Sequence, residues 1–146
     1  MKMIKCAVLV MGMQTAMASM AESSVAVVVS KSIQIDTSAV TREAVANVFL
    51  GKISTLPGGQ ELKPLDQEEG KPARVEFYSK VTGKAAVQVR AYWATMVFTG
   101  RGTPPEAVTD DQAVLDHVAN DPTSIGYVDA ELAKSSDDVQ IIYSAE

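Results

Sequence analysis

Cysteine and histidine are almost missing from this chain, and each shortage closes off some chemistry. The one cysteine, Cys6, has no partner for an internal disulfide, and the one histidine, His117, excludes a metal cage of several imidazoles. Aromatic residues make up only 5% of the chain, and all of them lie between Phe49 and Tyr143. A membrane-crossing run is missing too. The apolar stretch at 6–13 breaks at Gln14 and Thr15, well short of the roughly 20 residues that a spanning helix needs. Basic side chains are outnumbered, 13 against 18 acidic, for a net charge of −5. That surplus repels nucleic acid and anionic membrane, so neither is an expected partner. No repeat, low-complexity tract or flexible linker divides the 146 residues, which suit one domain. The composition is 47% hydrophobic, enough for a packed core and against wholesale disorder.

Residues 1–21 have the pattern of an export signal. Lys2 and Lys5 give a basic start, residues 6–13 give a short apolar core, and small residues follow at Ala16, Ala18, Ser19 and Ala21. Cleavage is expected after Ala21, with Ala18 the second choice. The mature domain would then run over 22–146 without cysteine, depending on its core alone in an oxidising compartment, periplasmic or secreted.

Within 22–146 strand and helix signals alternate. The β-branched run at 25–29 predicts a strand buried on both faces. Thr41 can cap a helix over 42–50 whose Val45, Val48 and Phe49 share a face, and Gly51 suits its left-handed end. Residues 62–65 predict a short strand, placed at an edge or strand end by Pro64, and 66–70 an acidic loop. Pro72 fits the first turn of a helix through Val81. Val89, Trp93, Met96 and Val97 mark the inner stripe of a helix over 85–99, and 100–105 must be a loop. Thr109 with Gln112 reads as a capping box for a helix through Asn120. Residues 125–128 and 139–143 predict two further strands, joined by a short helical or turn segment. The fold class is α/β: one small, three-layer-like domain with a mixed sheet flanked by helices.

Chemistry is mostly excluded. Gly83 and Lys84 resemble the end of a phosphate-binding loop, but Tyr78 and Ala85 stand where the motif needs glycine and a hydroxyl. His117 fits a solvated helix face, Asp110 and Asp111 a helix start, and Asp66, Glu68 and Glu69 a solvated loop better than a calcium site. No serine or cysteine nucleophile has an evident base, so the chain reads as non-enzymatic, without cofactor or metal. Two loops can accept an anion. At 70–74 a flexible loop meets a helix start, with Lys71 and Arg74 as donors; at 100–103 Arg101 sits between glycines.

Several segments together resemble the substrate-binding proteins of phosphate ABC transporters, above all their short, single-lobe relatives. These are VVVS at 27–30, VFLGKI at 48–53, LKPLDQ at 62–67, Arg74 with Phe77 and Tyr78, and AYW at 91–93. FTG at 98–100 follows with Pro104 and Pro105, then ANDP at 119–122 leading into IGYV at 125–128. The resemblance spans about 24–143 and implies one lobe of a type II periplasmic-binding fold, with the other lobe absent. In full-length relatives an Arg-x-Asp-Gly-Ser-Gly-Thr motif holds phosphate. Laid on this chain it falls on residues 67–73, where only the glycine at Gly70 is kept. Gln67 replaces the arginine, both hydroxyls are gone, and Pro72 has no N–H. The resemblance thus implies a ligand site of Gln67 and Gly70, with Lys71 and Arg74 replacing lost donors.

Two functions fit these residues. One is an exported binding module for phosphate or a similar oxyanion, used in ABC-type uptake or sensing. The other is a ligand-free lobe that docks onto a partner. A single lobe gives one wall of a pocket, so a protein partner or a second copy would have to supply the other. The first is favoured, because the resemblance covers the whole domain.

Overall fold

The computed structural model describes residues 24–146, so the export segment, its cleavage site and Cys6 lie outside the described residues. Five strands form one mixed sheet: β1 (Val25–Ser30), β2 (Lys63–Gln67), β3 (Glu106–Val108), β4 (Ser124–Asp129) and β5 (Val139–Ala145), in the order β3-β2-β4-β1-β5. β2 runs parallel to both β3 and β4, while β1 is antiparallel to β4 and β5. β1 is central and buried along its whole length, as a β-branched run without polar alternation requires.

Helices cover both faces. Val25, Val27 and Val29 point to one side, toward α1 (Arg42–Phe49), α2 (Pro72–Phe77) and α3 (Ala86–Phe98). Ala26 and Val28 point to the other, toward α4 (Asp111–Asn120) and α5 (Ala130–Lys134). This is the period-2 rule of a strand dividing one sequence between two cores. The first core centres on stacked rings, Phe77 on Tyr127 with centroids 4.1 Å apart and planes 2° from parallel, and Phe49 edge-on to Phe77 at 4.6 Å. The second depends on Gly126. A Cβ there would lie 2.4 Å from Val114 Cγ1, so only glycine lets α4 lie this close to β4.

The structure corrects several local expectations. β2 is an interior strand, not an edge strand. Pro64 is accommodated near the strand's start, where β2 pairs with β4 through Lys63 and Pro64; pairing with β3 begins only at Leu65. Asp66 and Gln67 complete that strand and are buried, so the exposed acidic loop is confined to Glu68, Glu69 and Gly70. The helix from Pro72 changes after Phe77 to a π-helical turn over Tyr78–Thr82, closed by Gly83 at φ +70°. Asp110, not Thr109, caps α4 by accepting from Ala113 N–H at 2.9 Å. Trp93 and Val89 are buried as expected, whereas Val97 is 54% exposed. Thr41 caps α1, and Gly51 follows it at φ +70°.

Candidate functional site

The parallel strands β3, β2 and β4 all end at one edge of the sheet, and the chain leaves β2 there through the turn at 68–70 into α2. Gly70 takes φ +91°, left-handed backbone that a glycine adopts without steric cost. No side chain caps α2, whose first N–H groups therefore stay open to solvent or an anion. Beside this turn lies a cleft of about 790 Å³, lined by Gln67, Lys71, Pro72 and Ala73 from β2 and α2, Asp110 and Asp111 from α4, and Asp129 at the end of β4.

Behind the cleft sits a buried polar cluster around Asp66. Its carboxylate accepts Tyr78 Oη–H at 2.6 Å, Gln67 N–H at 2.8 Å, and a short hydrogen bond from Tyr127 Oη–H. Arg74 Nη2 lies 3.7 Å from the same carboxylate, and Arg74 Nη1 donates to the Gln67 carbonyl at 2.9 Å. The guanidinium also lies over the Tyr78 ring, 5.3 Å from its centroid. Burial pushes the Tyr78 and Tyr127 hydroxyls far above their ordinary ionisation range, and the Asp66 charge adds to the rise. A carboxylate with three donors and a cation is stably buried; a lone one would not be.

This cluster determines what the expected site residues can do. Gln67 is 1% exposed, and its amide gives both hydrogens away, to Asp111 Oδ1 at 2.6 Å and the Tyr127 carbonyl at 3.0 Å. Lys71 shares the large cleft with Gln67 and forms no ion pair among the described residues. Gly70 and Arg74 instead line a smaller cleft of about 340 Å³, together with Tyr78, Gly83 and Lys84. The four residues are therefore neighbours split between two openings. Arg101 lines neither. His117 stands elsewhere, 3.6 Å from Asp121, whose pKa is lowered to about 2 chiefly by hydrogen bonds from Thr123 and Ser124.

Asp66, Tyr78, Tyr127 and Asp111 were not singled out by sequence pattern, because their partners are distant in the chain. A signal was nevertheless present. Asp66, Arg74, Tyr78 and Tyr127 all belong to the short segments that carry the family resemblance.

The sequence matches no family model and no curated protein. Solved structures do match. An ABC-type phosphate transport receptor from Vibrio cholerae superposes with a TM-score of 0.60 at 15% identity, over 82% of this chain and 46% of that one. A putative phosphate ABC transporter substrate-binding protein with bound phosphate from Clostridium perfringens gives 0.59 at 16%, over 82% and 44%. PstS from Borrelia burgdorferi gives 0.56 at 17%, over 78% and 44%. The chain spans less than half the length of each. Its fold is that of one lobe of the phosphate ABC transporter substrate-binding proteins.

Proposed function

We propose that the chain is an exported, non-enzymatic solute-binding domain that holds a small oxyanion, phosphate or a close relative, at the corner formed by residues 67–74. The observation that carries this reading is the position of the 790 Å³ cleft. It opens at the carboxyl ends of three parallel strands, where open α/β sheets bind their ligands. The open N–H groups of α2, the bare Gly70 backbone and the unpaired Lys71 ammonium supply donors. Gln67 serves by shaping the floor, since both its amide hydrogens are engaged. Binding is weak, because one lobe covers one side only and Asp110, Asp111 and Asp129 line the same cleft. A transporter subunit, a sensor or a second copy supplies the other wall.

A specific observation favours the second reading, a ligand-free docking lobe. The Arg74 cation faces the buried Asp66 carboxylate and so is already neutralised. Isothermal titration of the purified protein with phosphate, sulfate and simple carboxylates separates the two. Phosphate binding in the millimolar range, about −4 kcal/mol, supports the oxyanion site. No heat with any of these anions at about ten times that concentration refutes it and leaves the docking lobe. Export is tested by mass spectrometry of envelope protein, which should begin at Glu22 or Ser19.

A further inference from the structure

α3 is apolar on two sides. Its inner side buries Val89 and Trp93, with Tyr92 and Met96 packed partly against the core. Its outer side carries Val87, Ala91, Ala94 and Phe98, spaced i, i+4, i+7, i+11, which places them in one stripe along the helix. All four are exposed: Val87 is 65% and Phe98 92% accessible, with Val97 alongside at 54%. A helix that is apolar all round is normally buried all round. This one is covered on one side only.

Charge identifies what covers the other side. Between Glu76 and Glu106 there is no carboxylate at all, while Lys80, Lys84, Arg90 and Arg101 fall within that stretch, in a chain of net charge −5. Lys80 pairs with Glu76 and Arg90 with Glu69. Lys84 and Arg101, one beyond each end of α3, have no ion pair among the described residues. The stripe is thus bracketed by two cations awaiting carboxylates.

We propose that the outer face of α3 docks a protein partner that presents an amphipathic helix with large apolar side chains bordered by Asp or Glu. The two alanines at the centre of the stripe distinguish this partner from a lipid surface. Alanine adds little to membrane partitioning, but it lets a second helix approach closely and receive bulky side chains. A second copy of this chain fits poorly. A two-fold axis between Tyr92 and Trp93 would lay Ala91 on Ala94 and Val87 on Phe98 of the copy. It would also set Lys84 against Arg101 at both ends, cation against cation. This proposal is independent of whether an oxyanion binds at residues 67–74.

The test is site-specific photo-crosslinking of the full chain in the cells that make it. A benzophenone amino acid replaces Phe98 or Val87, and Lys134 on the opposite face of the sheet serves as control. The result expected is one protein adduct from both α3 positions and none from Lys134. Sequencing of the crosslinked peptide should show acidic residues flanking large apolar ones at helical spacing. The double variant K84E/R101E should lower the adduct yield about tenfold. Its urea midpoint should stay that of wild type, because both residues lie outside the core. Adducts with lipid, with a second copy, or with a non-acidic segment overturn the proposal. So does the absence of an adduct, or a yield that ignores the charge reversal.

Discussion

Replacing Tyr127 with phenylalanine removes one oxygen from the most heavily bonded point in the domain. That oxygen donates to Asp66 Oδ1 and accepts the Gln67 N–H at 3.2 Å. The Gln67 N–H keeps its 2.8 Å bond to Asp66, so no donor is orphaned. The ring keeps its stack on Phe77 at 4.1 Å and its tilted contact with Phe49 at 5.7 Å, so packing is conserved. What is lost is one hydrogen bond to a buried charge, about 1.5–3 kcal/mol. Urea unfolding followed by circular dichroism reads this directly. With a slope of about 1.5–2 kcal/mol/M for a chain this size, the midpoint should fall by about 1 M with the slope unchanged. Tyr78→Phe removes the 2.6 Å bond to the other carboxylate oxygen and should cost a similar amount. Because the two hydroxyls serve one acceptor, the double variant should deviate from additivity by at least about 0.5 kcal/mol. A Tyr127→Phe midpoint within about 0.2 M of wild type, or strict additivity, would refute the idea of a shared buried charge.

Three further outcomes follow from the same packing. Tyr78 and Tyr127 have pKa values raised by burial from an unfolded value near 10.0, so both stay protonated in the fold. Their contribution is fully present below pH 10 and is lost as pH rises, because the unfolded chain releases two protons that the fold retains. The loss approaches about 2.7 kcal/mol per pH unit, and Tyr127→Phe should halve that slope in urea midpoints taken at pH 9, 10 and 11. Gly126→Ala drives a methyl group to 2.4 Å from Val114 Cγ1 and should cost about 1–3 kcal/mol in thermal melts; adding Val114→Ala should relieve the clash. Trp93→Ala should cost about 3–5 kcal/mol. Trp93→Phe should cost much less, since the indole N–H is buried without a partner.

Local pattern carried the reading furthest where one residue decides one element. The valines of β1, the Thr41 cap and the Gly51 end needed no distant information. The errors share a cause. Residues 66–69 contain three acids and look solvated, yet Asp66 and Gln67 belong to a buried strand because Tyr127, some sixty positions away, binds both. β3 has only three residues and is defined by its pairing with β2, which no local signal announces. Val97 follows the apolar period of α3 but rotates to the outside, because a helix apolar on both sides does not reveal which side faces the core. The site residues were legible as a corner but not as a chemistry. Whether Arg74 is free to bind an anion depends on the carboxylate behind it.

Arg74 is where stability and ligand binding compete, and this makes it a poor reporter of binding alone. Asp66 already receives three hydrogen bonds, so what Arg74 adds is counter-charge, at 3.7 Å, plus the 2.9 Å bond to the Gln67 carbonyl. A guanidinium has five N–H donors, enough to serve Asp66, Gln67 and an oxyanion in the smaller cleft without leaving the first two. Arg74→Ala, however, leaves a buried carboxylate without a cation. It should lower stability by about 2 kcal/mol whether or not phosphate is present, at the low end for broken buried pairs because Arg74 lies at the rim. Lys71 forms no ion pair among the described residues, so Lys71→Ala should leave the urea midpoint in place. If the corner binds an oxyanion, the same change should weaken phosphate about tenfold, the worth of one charge-assisted hydrogen bond. Midpoints and titrations of both variants separate the roles. An Arg74→Ala midpoint equal to wild type would show that Asp66 needs no counter-charge, and the buried cluster would then be misread.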